Sequence, residues 1–177
     1  MMNSVESKRT HTVTWGDPAE IRVKAASLSG AEYLKMVRDS KIPKAPFAAL
    51  LDFELTEVGN GWATYRVAPQ EFHYNNAAIA HGGMAAALLD SAFGAAIVST
   101  LPPNLTFTTL TLLVNYVRPI TNGRGTLTAR ASVAHKGRTI GTGEGRITDE
   151  SNRLYAHGTT TWLIFERRND GRQKGRP

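Results

Sequence analysis

Residues 82–100 read GGMAAALLDSAFGAAIVST, and this stretch decides the fold. It is apolar at nearly every position, so a helix here is buried on most of its faces rather than along one stripe. Its small residues (Gly82, Ala85, Ala86, Ala92, Gly94, Ala95, Ala96) let neighbouring backbones approach closely. The segments that follow read as strands. Thr108–Val117 alternates Leu110, Leu112, Val114 and Tyr116 against Thr109, Thr111, Leu113 and Asn115. Thr126–Ala134, Arg138–Thr148 and Leu154–Phe165 continue the pattern, with turns at Lys136-Gly137 and Asp149–Asn152. Ahead of the helix, Phe53–Val58 and Trp62–Ala68 form a hairpin across Gly59-Asn60-Gly61, ended by Pro69. Residues 70–80 are a loop. A hairpin, one long buried helix and four further strands predict an α+β fold, an antiparallel sheet wrapped around a central helix.

The flanks add less. Residues 1–26 read as a flexible, irregular polar segment. Ser29–Asp39 reads as a helix, capped by Ser29 and Glu32 with Tyr33, Met36 and Val37 as its apolar stripe. Phe47–Leu51, behind Pro43 and Pro46, reads as an apolar segment docked on the core. The main domain spans 27–166. Residues 167–177 hold five Lys/Arg against Asp170, so this basic tail carries +4 of the net charge of +6. It reads as a disordered, solvated tail rather than a nucleic-acid site, since no nucleic-acid-binding motif accompanies it.

Several function classes are excluded or disfavoured by composition. Zero cysteines rule out disulfides, a Cys nucleophile and thiolate metal sites, and they fit a reducing, cytoplasmic setting. The uncharged run Ser91–Val117 is long enough for a membrane span, but Pro102-Pro103 and the polar residues after it break that reading. The five histidines show no metal spacing. Gly141-Thr142-Gly143-Glu144-Gly145 lacks the spacing and following helix of a nucleotide loop, and reads as a glycine-rich strand packed on the helix. No GxSxG nucleophile elbow occurs.

Two features carry chemistry. Asp90 lies mid-helix among apolar residues, where an unpaired carboxylate costs several kcal/mol unless it has a partner or a purpose. His81-Gly82-Gly83 opens the same helix, whose free N–H groups and dipole suit an anion or a polarised carbonyl. Each alone has a bland alternative: a carboxylate that caps a loop, or a glycine turn that starts a helix.

Together with Asn75 they form a pattern. Asn75-Asn76-Ala77-Ala78-Ile79-Ala80-His81-Gly82-Gly83, continued by Leu88-Leu89-Asp90, resembles the signature of the PaaI-like hotdog-fold acyl-CoA thioesterases. The resemblance extends over residues 45–166 through Thr109, Asn115-Tyr116-Val117-Arg118-Pro119, Lys136-Gly137-Arg138, Asp149 and Ala156-His157. It departs at Ala78, where the family pattern has glycine. The resemblance implies a hotdog fold and thioester hydrolysis without cofactor or metal. Asp90 is then base or nucleophile, and the Gly82 N–H binds the thioester oxygen. Asn75 and His81 position the thioester and its sulfur, and Thr109 assists, with Thr108 as the fallback. Thioesters suit so small a machine, because the carbonyl is weakly resonance-stabilised and a thiolate leaves without strong acid help.

Phe72, Leu89 and Phe93 are candidates for an apolar acyl pocket, with Gly83 beside the substrate. Arg118, Arg124, Lys136 and Arg138 are candidates for the phosphates of coenzyme A. The acyl group stays open among aryl, phenylacetyl and medium-chain. Other functions compatible with the fold are a hydratase or dehydratase acting on enoyl or hydroxyacyl thioesters, and a non-catalytic acyl-CoA-binding module. Gly82 and Asp90 are eight residues apart, roughly 12 Å along one helix. One carbonyl cannot meet both on the same chain. A homodimer or homotetramer whose two-fold sets one chain's Gly82 beside the other's Asp90 is therefore expected.

Overall fold

The computed structural model describes residues 8–121, 123 and 125–167. Arg124 and the basic tail beyond Arg167 lie outside them. Three short helices open the chain: α1 (Pro18–Ala25), α2 (Gly30–Arg38) and α3 (Pro46–Leu50). The hairpin β1 (Glu54–Gly59) and β2 (Trp62–Val67) follows, then a 3-10 turn at Glu71–His73 and the long helix α4 (Gly82–Val98). Strands β3 (Leu105–Tyr116), β4 (Leu127–Lys136), β5 (Ile140–Asp149) and β6 (Leu154–Glu166) complete it. They form one antiparallel sheet in the order β1-β2-β4-β5-β6-β3. The chain therefore crosses from one side of the sheet to the other through α4. Six strands around one buried helix are the hotdog arrangement.

The core lies between α4 and the sheet. Leu88, Leu89, Ala92, Phe93, Ala96 and Ile97 of α4 are buried against Leu127, Ala129, Ile147, Tyr155 and Trp162. The glycines of β5 make room for this contact. A Cβ on Gly145 would stand 3.0 Å from the Phe93 ring, and one on Gly143 would collide with the benzo edge of Trp162. The glycine-rich strand thus packs on the helix, as its composition suggested. The capping box of α2 is present, with Ser29 and Glu32 bonded reciprocally.

Two local expectations are corrected and one is refined. Residues 18–25, read as irregular, are helical: Asp17 caps Ala19 N–H and Pro18 occupies the first turn, but no α1 residue is buried. Phe47–Leu51 docks on the core as expected, through Ala48 and Leu51, but it does so as the short helix α3, with Phe47 and Leu50 exposed. Strand β3 does not keep one buried face. A bulge between Thr109 and Thr111 shifts its register against β6, and Leu110, Leu112, Leu113 and Tyr116 are all exposed on this edge strand. Among the described residues, no helix is long and apolar enough to cross a membrane.

Candidate active site

His81 is the N-cap of α4. Its extended backbone (φ −60°, ψ 136°) turns the chain into the helix, and its Nδ1 accepts the Gly83 N–H at 2.9 Å. Its carbonyl accepts the Met84 N–H at 2.9 Å. On the other side of the same turn, the Tyr116 hydroxyl donates to the Gly82 carbonyl at 3.0 Å. The peptide between Gly82 and Gly83 is therefore held at both its oxygen and its nitrogen. The Gly82 N–H, one peptide earlier, has no partner among the described residues, while that of Gly83 is already bonded to His81 Nδ1. A side chain at Gly82 would press on Tyr116, since a Cβ there would lie 3.3 Å from the ring.

The loop before His81 is braced internally. Asn75 Oδ1 accepts from Ala77 N–H at 2.9 Å and Ile79 N–H at 3.5 Å, so its carbonyl end shapes the loop and only its amide NH₂ remains for a substrate. Ala78 sits at φ 56°, the left-handed region. This explains the departure noted in the sequence: the backbone conformation is the one glycine adopts freely, and alanine adopts it at a cost. Asn75, Gly82, Tyr116, Arg118, Ile120 and Tyr155 border a recess of about 260 Å³.

Asp90 lies two turns further along α4. It is half-buried, and its Oδ1 accepts the Thr109 hydroxyl at 3.2 Å. Burial raises its proton affinity above that of an ordinary aspartate, and the Thr109 hydrogen bond partly opposes this. Thr109 and not Thr108 reaches it, because Thr109 pairs with the buried Trp162 on the inner face while Thr108 points outward. The carboxylate is thus poised with one anchoring donor, a state suited to a base or nucleophile.

The remaining expected residues are dispersed. Leu89 and Phe93 are fully buried in the core, Phe93 edge-on to Trp162, and Phe72 is 42% exposed and stacked on His11 at 3.7 Å. These three do not come together as an acyl pocket within one chain. The α4 stripe that holds Leu89 and Phe93 faces the sheet, not a cavity. Arg118 borders the recess beside Gly82, bonded to the Leu154 carbonyl and 5.8 Å over the Tyr155 ring. Lys136 donates to the Thr100 carbonyl at 2.7 Å, just beyond the opposite end of α4, and Arg138 is exposed in the adjacent turn. Asp149 serves the β5–β6 turn, accepting from Ser151 N–H, Arg153 and the Tyr155 hydroxyl. Two residues carry roles the sequence did not signal: Tyr116, whose hydroxyl contact is set by the β3–α4 packing, and His73, a buried histidine behind the loop. Among the described residues, no three His, Cys, Asp or Glu side chains gather as a metal site.

Residues 77–156 match the family model described as thioesterase superfamily. The fold is similar to that of a Haemophilus influenzae thioesterase, with TM-score 0.67 and 22% identity over 75% of this chain and 90% of that one. It is also similar to the E. coli PaaI protein from the phenylacetic acid degradation operon, with TM-score 0.67 and 23% identity over 78% of this chain and 96% of that one. A Halobacterium salinarum protein named as an esterase is 46% identical over 66 residues, 36% of this chain. The match spans 42% of that relative's length.

Proposed function

We propose that this chain, whose residues 77–156 belong to the thioesterase superfamily, hydrolyses acyl-CoA thioesters to a free acid and coenzyme A. The reading rests on one observation above all: α4 carries both a free backbone donor, the Gly82 N–H, and a half-buried carboxylate, Asp90, of raised proton affinity. The Gly82 N–H donates to the thioester oxygen and stabilises the negative charge that develops there, aided by the α4 dipole. Asp90 removes a proton from the attacking water, or attacks the carbonyl itself to form a mixed anhydride that water then cleaves to the free acid and the regenerated carboxylate. On either route the C–S bond breaks and the coenzyme A thiolate departs. Thr109 orients the carboxylate.

The two groups stand roughly 12 Å apart along α4, too far for one carbonyl. The site is therefore shared between two chains, one giving Gly82 and the other Asp90. Support comes from β3, an edge strand with open hydrogen-bonding groups and Leu110 and Leu113 exposed at 51% and 61%. A second copy on that edge buries these leucines. Arg118 lies beside the Gly82 end of α4 and Lys136 with Arg138 beyond its Val98 end, so coenzyme A phosphates would be met by cations from one or other chain. The cysteine-free composition fits a cytoplasmic setting.

The test is thiol release from a panel of aryl-, phenylacetyl- and medium-chain acyl-CoAs. Release well above the uncatalysed rate from at least one member, lost in Asp90→Asn, is expected. No release from any of them would reject the reading.

A further inference from the structure

A backbone donor stabilises a transition state only where its direction is fixed, and the Gly82 N–H follows a seven-residue loop that contains a strained alanine. We propose that His73 fixes it, acting as a positioning residue that ties the loop to α3; this rests on the reading of Gly82 as the oxyanion donor. His73 closes the 3-10 turn and is 3% exposed. Its ring is held at both nitrogens: Nδ1 accepts the Gln70 N–H at 2.9 Å, and Nε2 lies 2.9 Å from the Leu51 carbonyl. A peptide N–H only donates and a carbonyl only accepts, so the ring carries its one proton on Nε2 and is neutral. Burial, by disfavouring the charged ring, keeps it in that form.

The main chain of His73 completes the link. Its carbonyl accepts the His81 N–H at 2.8 Å. His81 contributes the carbonyl half of the peptide whose N–H belongs to Gly82. A line of contacts therefore runs from Leu51, at the end of α3, through the His73 ring and carbonyl to His81 and the Gly82 donor. The loop before His81 is also held by the Ala80 N–H on the Ile120 carbonyl and the Asn75 N–H on the Ile79 carbonyl, both at 2.8 Å, and the Gly82 carbonyl by Tyr116. The His73 link adds to these a tie from the His81 N–H to the end of α3. With the Leu51 bond gone, the His81 peptide loses that anchor and the tilt of the Gly82 donor loosens.

Two amide variants separate the halves of the imidazole. An asparagine oxygen falls near Nδ1 and keeps the local bond to Gln70. A glutamine nitrogen reaches near Nε2 and keeps the bond to Leu51. His73→Asn is expected to lower kcat by about tenfold or more, since an ångström of misplacement costs up to about 10²-fold. KM should change by less than about threefold, because the donor acts mainly in the transition state. His73→Gln should stay within about threefold of wild type in both constants.

Amide hydrogen exchange at His81 supplies a readout independent of turnover. It should quicken in His73→Asn and stay near wild type in His73→Gln. Wild-type kcat in His73→Asn, unchanged His81 exchange, or equal damage in both variants would overturn the proposal, the last by assigning the effect to ring packing. If the wild-type protein releases no thiol from any acyl-CoA, the thioesterase reading fails, and His81 exchange alone then decides whether the brace exists.

Discussion

Thr109→Val removes the hydrogen bond that Asp90 accepts while keeping a β-branched side chain of the same outline. A hydrogen bond to a charged group contributes about 1.5–3 kcal/mol, and this one spans 3.2 Å to a half-buried carboxylate, so the lower end of the range applies. About 1.4 kcal/mol corresponds to one pH unit. The sign follows from which form is held. Burial already raises the proton affinity of Asp90, and Thr109 stabilises the ionised form against it. Without the hydroxyl, protonation becomes easier still. The acid limb of kcat/KM, which reports the free enzyme, should move toward neutral pH by about one unit. Above that limb the loss should be under about tenfold, since the base itself is intact. Thr108→Val is the control, because Thr108 points outward. Initial rates of thiol release across the pH range read both. A limb that stays with wild type in Thr109→Val, or moves equally in Thr108→Val, refutes the reasoning.

Asp90→Asn should lower kcat by at least about 10²-fold, as acid–base or nucleophilic chemistry requires. It should also raise the melting temperature at pH 7. The folded-state proton affinity of Asp90 lies above its unfolded value, so its ionisation costs stability as pH rises through the interval between them; a melting curve unchanged or lowered by the substitution would contradict this burial cost. Ala78→Gly relieves a left-handed alanine that costs about 1–2 kcal/mol and gives back about 0.5–1 kcal/mol in glycine entropy. The net gain of roughly 0.5–1 kcal/mol should raise the melting temperature by about 1–4 °C with activity retained.

Much of the architecture was legible because α4 and its strands obey simple periods. The helix begins at Gly82 as expected and ends at Val98, and the order of hairpin, helix and four strands stands. Helix α1 was not legible because it buries nothing and so carries no apolar period. Strand β3 misled because its alternation is real in sequence, but the bulge after Thr109 resets which side each residue faces. At the site, spacing located the His81-Gly82-Gly83 turn and Asp90. It did not reveal that His81 takes the Gly83 N–H for itself, a choice made by side-chain rotamer. Leu89 and Phe93 are buried in the core of the single chain for a general reason: a helix apolar on every face does not disclose which stripe meets the sheet. The cations were separated by α4, whose 17 residues put Arg118 and Lys136 near opposite ends of a helix about 25 Å long.

The shared site is the central claim, and complementation between inactive variants tests it most directly. Asp90→Asn removes the carboxylate. Gly82→Pro removes the N–H at a first-turn position where proline is tolerated, and the ring needs only a small shift of the exposed Tyr116 side chain. In a mixed dimer one site holds both defects and the other holds neither. Random reassortment makes half the dimers mixed, so about a quarter of all sites should recover activity. Recovery near that fraction after mixing and subunit exchange is the predicted result; exchange confirmed with no activity regained would contradict the account and assign Asp90 to donors of its own chain.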